Sequence, residues 1–355
     1  MVGLTLGWPD VLSRLSRRES LTTEEAEGVL GIVLAGDATP AQIGAFLTLL
    51  HAKGETVEEV TGLAQAMVAA SVPVELGSSD VVVDLVGTGG DRLSSINVTT
   101  LAAFIVAGCG VPVCKHGNRA ASSAVGTADV LEALGVAIGV GPDGVAACVR
   151  EAGIGFCFAQ RFHPAMKFVG PVRKEIGVPT VFNFLGPLIN PARTRFQLVG
   201  VSEPAMASIM LQVLGATGSR HAMVIHADDG LDELSVTSPS TVHELVGDGS
   251  GSFELSEWRV DPVALGLAPA TMADLKGGDA AFNADVIRSV LAGEQGARRD
   301  IGLLNAAAAL MVAGRVTDLA DGLQVAVDAI DSGRATEALE ALVTTSQAAW
   351  LLEQG

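Results

Sequence analysis

Residues 81–100 read VVVDLVGTGGDRLSSINVTT, and after an apolar run residues 111–134 read VPVCKHGNRAASSAVGTADVLEAL. Val81, Val82, Val83, Leu85 and Val86 form a β-branched run that halts at glycine, the pattern of a buried strand over 81–86. Gly87, Gly89, Gly90 and Asp91 follow. Without Cβ atoms the backbone there can approach an anion and aim successive N–H groups at it. Asn97, Thr99 and Thr100 stand just ahead of the helix-compatible run 101–107, where amide and hydroxyl side chains favour an N-cap. A glycine loop leading into a helix start is a phosphate site. The second half repeats the plan. A short apolar run at 111–114 leads into Lys115, His116, Gly117, Asn118 and Arg119, which come off its end. Ser122, Ser123 and Thr127 add hydroxyls, with Thr127 placed to cap a helix over 128–134. Two such strand ends in a parallel sheet predict a ligand carrying phosphates at both ends.

Outward from this stretch, strand-like runs at 155–158, 196–201 and 222–226 alternate with helix-like segments such as 143–151 and 204–214. That alternation predicts an α/β fold: a central, mostly parallel sheet covered by helices, its site outside the carboxyl ends of the strands. Residues up to about 70 read as helices instead. Thr22 with Glu25 and Thr56 with Glu59 match the capping box, and Thr39–Pro40 matches an N-cap followed by proline at the first helical position. Ile43, Phe46, Leu47 and Leu50 form an apolar stripe that needs a partner, either the main domain or a second copy of the chain. Residues 162–191 interrupt the alternation with helical segments and a Gly-Pro break. Residues 240–246 read as an edge strand, and 280–291, 305–313 and 319–330 as closing helices without chemistry.

Composition excludes several classes. The 355 residues allow two domains, and the formal net charge of −18 argues against a nucleic-acid partner. It permits a small phosphorylated substrate, because Lys115, Arg119, Arg161, Arg173 and Lys174 lie in or near the motifs. Cys109, Cys114, Cys148 and Cys157 lie among apolar neighbours with no ligand spacing, so they read as buried thiols of a reducing compartment. The longest apolar run, 101–114, is broken by glycine and proline and is too short for a bilayer. With no signal-like amino terminus, a cytoplasmic protein without a membrane partner is expected. The GTGGD turn after the first strand is not GxGxxG and the P-loop pattern is absent, which argues against a dinucleotide-binding oxidoreductase. The run from Asp228 to Glu233 packs four carboxylates together, which must be solvated or hold a metal.

GTGGD, NVTT, KHGNRAASS and the later DGLDE, in that order, resemble the signature motifs of the anthranilate phosphoribosyltransferases, and the likeness runs through HPAMKFVGPVRKEIGVPTVFNFLGPLINPA. The resemblance implies a small helical domain at 1–74, to which part of 162–190 returns, and a large domain at 75–355, with hinges near 77–79. It implies transfer of the phosphoribosyl group of 5-phosphoribosyl 1-diphosphate (PRPP) to anthranilate with release of pyrophosphate, the second step of tryptophan biosynthesis from chorismate. It also implies Mg²⁺ as cofactor and a homodimer formed through the helical domain. Carried onto this sequence, the PRPP-binding positions are Gly87, Gly90, Asp91, Ser95, Asn97, Val98, Thr99 and Thr100 in the first half. In the second half they are Lys115, His116, Gly117, Asn118, Arg119, Ala120, Ala121, Ser122, Ser123 and Thr127. Anthranilate falls to Gly87, Asn118 and Arg173, and the metal to Thr99, Asp232 and Glu233.

An aromatic amine is already uncharged at neutral pH and needs little general-base help. His116 is the one titratable candidate near neutrality. Two departures from the family pattern keep their hydroxyls: Thr99 stands where serine is usual, and so does Thr127. A nucleoside phosphorylase of related architecture would carry Lys-x-Ser-Gly-Arg-Gly where this chain has Lys115-His116-Gly117-Asn118. A non-catalytic relative would have lost the carboxylates or the KHGN run, and both are intact.

Overall fold

The computed structural model describes residues 7–77, 81–91, 93–120, 125–248 and 252–354. Four helices lead: α1 (Trp8–Ser16), α2 (Thr23–Ala35), α3 (Pro40–Lys53) and α4 (Val57–Ala69). Thr22, Thr39 and Thr56 each accept a hydrogen bond from the third helical N–H, and Glu25, Gln42 and Glu59 reach back in return. Glu59 does more than cap. Fully buried, it pairs with Lys53 at 2.8 Å and accepts the Leu21 N–H at 2.9 Å, tying α4 to the α1–α2 connection. Gly62 lets α4 lie directly on α2, where any Cβ would strike the Thr23 carbonyl oxygen.

The sheet follows as β1 (Val83–Gly87), β2 (Val113–Gly117), β3 (Ile154–Phe158), β4 (Phe196–Gly200), β5 (His221–Ala227), β6 (Ser240–Gly247) and β7 (Phe253–Val260). Its spatial order is β3-β2-β1-β4-β5-β6-β7, parallel from β3 through β5 and antiparallel from there. Residues 240–246 are therefore an interior strand. The edge is β7, which the sequence pattern hid because its alternation is mostly polar and exposed. Between the strands run α5 (Val98–Gly108), α6 (Thr127–Ala133), α7 (Pro142–Ala152), α8 (Ala159–Phe162), α9 (Met166–Ile176), α10 (Phe182–Leu185) and α11 (Pro204–Ala216). The chain closes with α12 (Ala280–Leu291), α13 (Ala297–Val312), α14 (Leu319–Asp331) and α15 (Arg334–Gln354), the last a helix not foreseen.

Alternation along the strands sorts the core into two faces. Leu85, Leu198, Met223 and Ile225 pack with α5 and the closing helices, whereas Val86, Val199, Ala222 and Val224 pack with α11 and the amino-terminal helices. Val169 and Val172 of α9 join that second cluster, and α9 packs on α2 and α3. The stripe of Ile43, Phe46, Leu47 and Leu50 is thus covered within the chain. None of the large, strongly exposed apolar side chains among the described residues lies on α1–α4, so the helical face expected to be unpaired is not. No helix among the described residues is long and apolar enough to cross a membrane.

Candidate active site

The strand order reverses between β1 and β4, which makes their carboxyl ends the switch point where open α/β sheets bind ligands. Gly87 ends β1 and Gly200 ends β4, paired in register. The loop carrying Asp232 lies across both: a Cβ at Gly87 would run into Asp232 Oδ2, and one at Gly200 would overlap the Asp232 carbonyl oxygen. From the glycine turn, Gly89 N–H donates to Asp232 Oδ2 at 2.7 Å. Gly89 and Gly90 have φ of +67° and +89°, conformations that favour glycine.

The helix expected after the glycine turn begins at Val98, with Asn97 in the N-cap position but without a side-chain cap bond. Asn97 Oδ1 is instead taken by the buried Asn283 amide at 3.0 Å, and Ser95 bridges to Lys276. The Thr99 backbone N–H helps hold the Glu233 carboxylate, so the α5 amino terminus faces the acidic loop. Thr100 Oγ1 is buried there without a hydrogen-bond partner.

The second motif does not come off its strand, as the sequence pattern indicated. β2 runs through Gly117, and Lys115 and His116 are buried strand residues. Alternation then sends their side chains to opposite faces of the sheet. Lys115 donates to the Leu85 carbonyl and feels the charges of Asp84, Glu233 and Asp232; burial still lowers its ammonium to about 8. His116 Nδ1 lies 3.0 Å from the Gly186 carbonyl, which can only accept, so the imidazole carries its proton on Nδ1. Its ring meets His163 at 5.1 Å between centroids, and Nε2 is without a partner. Burial, and then His163, push His116 down to about 3, so it is neutral at physiological pH and a poor base there.

Other expected residues separate into those gathered here and those not. Thr127 opens α6 next to Gly117, with Gly126 rather than Thr127 at the N-cap. Asn118 is exposed and receives the Arg119 N–H at 2.8 Å and Gln160 Nε2 at 3.4 Å. Arg119 is exposed, pairs with Asp129 and Glu132 at 2.7 and 2.5 Å, and lies over the ring of Phe158, the last residue of β3. The Ala120 N–H donates to Asp129 Oδ2 at 3.3 Å. Ala121, Ser122 and Ser123, like Ser78 and Ser79 of the expected hinge, lie outside the described residues. Arg173, on α9, stacks over Phe182 and lies 3.5 Å from Asn183 Oδ1; burial lowers its guanidinium from the ordinary value.

The four carboxylates of the acidic loop divide. Asp228 pairs with Arg259 on the surface. Asp229 accepts from Ser235 Oγ at 2.6 Å, from Thr237 Oγ1 and from the Leu231 N–H at 3.1 Å. Burial opposes that charge, but these donors outweigh it and hold Asp229 below the ordinary carboxylate range. Asp232 and Glu233 are buried. Burial and then the Asp91 charge raise Asp232 to about 6, while burial and then Asp232 raise Glu233 well above the ordinary value. Glu233 Oε2 has no hydrogen-bond partner. No set of three or more His, Cys, Asp or Glu gathers at ligand spacing among the described residues. The oxygen set of Asp232, Glu233 and the nearby Thr99 nonetheless fits a hard divalent cation that shares its shell with phosphate.

Sequence reading missed Asp84, His163, Asn183, Asn190 and Asn283. Only Asp84 left a signal, a lone carboxylate inside an otherwise apolar strand.

Residues 79–336 match the model of the glycosyl transferase family, a/b domain, and residues 9–71 match that of the glycosyl transferase family, helical bundle domain. The fold and site are therefore those of this class of glycosyl transferases. Over 338 residues, 95% of this chain and 97% of the relative, the chain is 49% identical to an anthranilate phosphoribosyltransferase of Thermomicrobium roseum. The crystal structure of anthranilate phosphoribosyltransferase from Thermus thermophilus superposes with a TM-score of 0.88 at 39% identity, covering 95% of this chain and 99% of that one. The Saccharomyces cerevisiae enzyme in complex with PRPP and Mg gives 0.86 at 25% identity, covering 96% and 98%. The chain belongs to the anthranilate phosphoribosyltransferase family.

Proposed function

We infer that this enzyme transfers the phosphoribosyl group of PRPP to the amine of anthranilate, giving N-(5-phosphoribosyl)anthranilate and pyrophosphate, the second step of tryptophan biosynthesis from chorismate. The observation that carries the reading is the 49% identity to an anthranilate phosphoribosyltransferase along 95% of the chain. Two complexes of the Saccharomyces cerevisiae enzyme, one with PRPP and Mg and one with 4-fluoroanthranilate, support both substrates and the metal.

The geometry supports a division of labour between the two faces of the sheet. On the α5 side, the backbone of Gly87, Gly90 and Asp91, the segment Ser95, Asn97, Val98, Thr99 and Thr100, and the Lys115 ammonium hold the phosphates. Gly117, Asn118, Arg119, Ala120 and Thr127 bound the donor from beyond the β2 end, with Arg119 turning toward the ligand from its present partners. Thr99, Asp232 and Glu233 hold Mg²⁺. Magnesium supplies charge neutralisation for the departing pyrophosphate.

On the His116 side, the acceptor lies toward α9 and α10. Arg173 pairs with its carboxylate, Asn118 hydrogen-bonds it, and Gly87 leaves room between acceptor and donor. Breaking the C1–O bond leaves a cationic sugar and a polyanion, so the residues preorganised toward that charge, together with proximity of amine and C1, carry the rate. His116, neutral and hydrogen-bonded to Gly186, orients rather than titrates.

The same reading treats 1–74 with part of 162–190 as a helical domain, 75–355 as the transferase domain, the protein as cytoplasmic, and the assembly as a homodimer through the helical domain. Mass spectrometry of a reaction containing PRPP, anthranilate and Mg²⁺ tests the function. The expected result is N-(5-phosphoribosyl)anthranilate with pyrophosphate in equal amount; pyrophosphate without that adduct would reject the acceptor.

A further inference from the structure

The sheet carries a fully buried carboxylate to which the scheme above gives no role, although it faces the charge of Lys115. Asp84 lies in β1 between Val83 and Leu85, with an exposure of 0%. Alternation puts it on the His116 face, opposite to Leu85. Both of its oxygens are used: Oδ1 accepts the His116 N–H at 3.1 Å, and Oδ2 accepts Asn190 Nδ2 at 2.8 Å. Asn190 is also buried, and its Nδ2 donates to the Cys114 carbonyl at 2.8 Å while its Oδ1 accepts the Ala192 N–H at 2.9 Å. A second tie runs from His116 Nδ1 to the Gly186 carbonyl. One carboxylate thus joins the end of β2 to the 186–190 segment, which follows directly on α10 and Asn183, the neighbour of Arg173.

We propose that Asp84 is a positioning residue, clamping the KHGN strand end against the 186–190 segment so that the acceptor half of the site stands in register with the donor half. The inference rests on the reading of Arg173 and Asn118 as acceptor groups. A carboxylate suits the place because it offers acceptors in two directions. An amide at position 84 has a single acceptor, so Asp84→Asn sets a donor against either the His116 N–H or the Asn190 amide, with almost no change of volume.

The test compares wild type, Asp84→Asn, Asn190→Ala and the double variant. Steady-state rates with varied anthranilate are combined with PRPP affinity by titration calorimetry and with thermal melts that fix an assay temperature below every transition. Misplacement of the acceptor predicts that Asp84→Asn lowers kcat/KM for anthranilate on the order of a hundredfold, well beyond any change in PRPP Kd that removing a charge beside Lys115 brings. Asn190→Ala, measured with PRPP affinity in the same way, follows the same split, and the double variant loses less than the two single losses combined, since both disrupt the Asp84–Asn190 contact. Should Asp84→Asn fail to fold, Asn190→Ala carries the same expectation from outside the strand. Wild-type kcat/KM in the folded single variants overturns the proposal, as do equal losses of PRPP affinity and anthranilate use or additive losses in the double. A wild-type protein that forms no adduct would instead reject the function itself, separating the two failures.

Discussion

Within the run from Asp228 to Glu233, this chain treats four carboxylates in two ways. The outer two are satisfied by the protein: Asp228 by Arg259 on the surface, Asp229 by two hydroxyls and a backbone N–H. The inner two are driven into the body of the molecule beside each other and near Asp91, with glycines at 87 and 200 leaving room for Asp232. A protein selected for stability alone would not bury two like charges with an oxygen unpaired. The difference teaches that Asp229 and its donors hold the loop in shape so that Asp232 and Glu233 can be presented, at a cost in stability, to something positive.

The largest effect expected is on that inner pair. Asp232→Asn with Glu233→Gln should lower kcat/KM on the order of a thousandfold and move the magnesium midpoint to much higher concentration. Initial rates over a magnesium titration measure both, and an unmoved midpoint would place the metal elsewhere. Next comes the acceptor side. Arg173→Ala should raise the KM for anthranilate roughly fiftyfold while leaving PRPP affinity within about threefold. Calorimetry reporting equal losses for the two substrates would sink that assignment.

Asp229→Ala attacks the outer pair instead. It strands the Ser235 and Thr237 hydroxyls and the Leu231 N–H and should destabilise by about 2 kcal/mol in urea unfolding. An unaffected urea midpoint would mean that the loop holds its shape without Asp229.

The comparison also has a pH signature. Asp232, raised to about 6, and Glu233, raised well above its ordinary value, bind protons more tightly folded than unfolded. Their contribution to stability is full below the ordinary carboxylate pKa and fades as pH rises through the folded values. His116 and His163, depressed to about 3 and about 4 by burial, do the reverse: their contribution is full above the ordinary imidazole pKa and is lost as pH falls toward those values. Removing only the first pair, the metal-free double variant that combines Asp232→Asn with Glu233→Gln should melt above wild type at about pH 7.5, the gap closing toward about pH 4. A gap independent of pH would contradict the burial of charge at these two residues. The smallest effect belongs to Asp228→Ala, which breaks an exposed ion pair and should leave the unfolding midpoint unchanged; a clear loss would give the outer pair a larger share of the loop than its exposure allows.

Much of this was legible because it is local. Thr22 and Thr56 announced their helices through partners three residues on, Thr39 through the proline that follows it, and the alternation of strand-like and helix-like runs announced a parallel sheet. What stayed hidden is what depends on distant chain. Asp84 interrupts an apolar run, but nothing local names its partner, since Asn190 is 106 residues away. Asn283 reaches Asn97 from a helix that looked like packing. Lys115 and His116 were visible as a motif, but their division between opposite faces required knowing that β2 extends through Gly117. The role of β6 as an interior strand likewise depended on β7, whose exposed polar face carries little pattern.

Metal-dependent transfer from PRPP to anthranilate at the β1–β4 switch point stands at the centre of these expectations. Loss of anthranilate fluorescence, followed with PRPP and Mg²⁺, then with EDTA, then with Mg²⁺ restored in excess, tests it most directly. The prediction is consumption that stops on chelation and resumes on restoration. Anthranilate left untouched by enzyme that binds PRPP would contradict the acceptor assignment through Asn118 and Arg173, and consumption indifferent to EDTA would contradict the reading of Asp232 and Glu233.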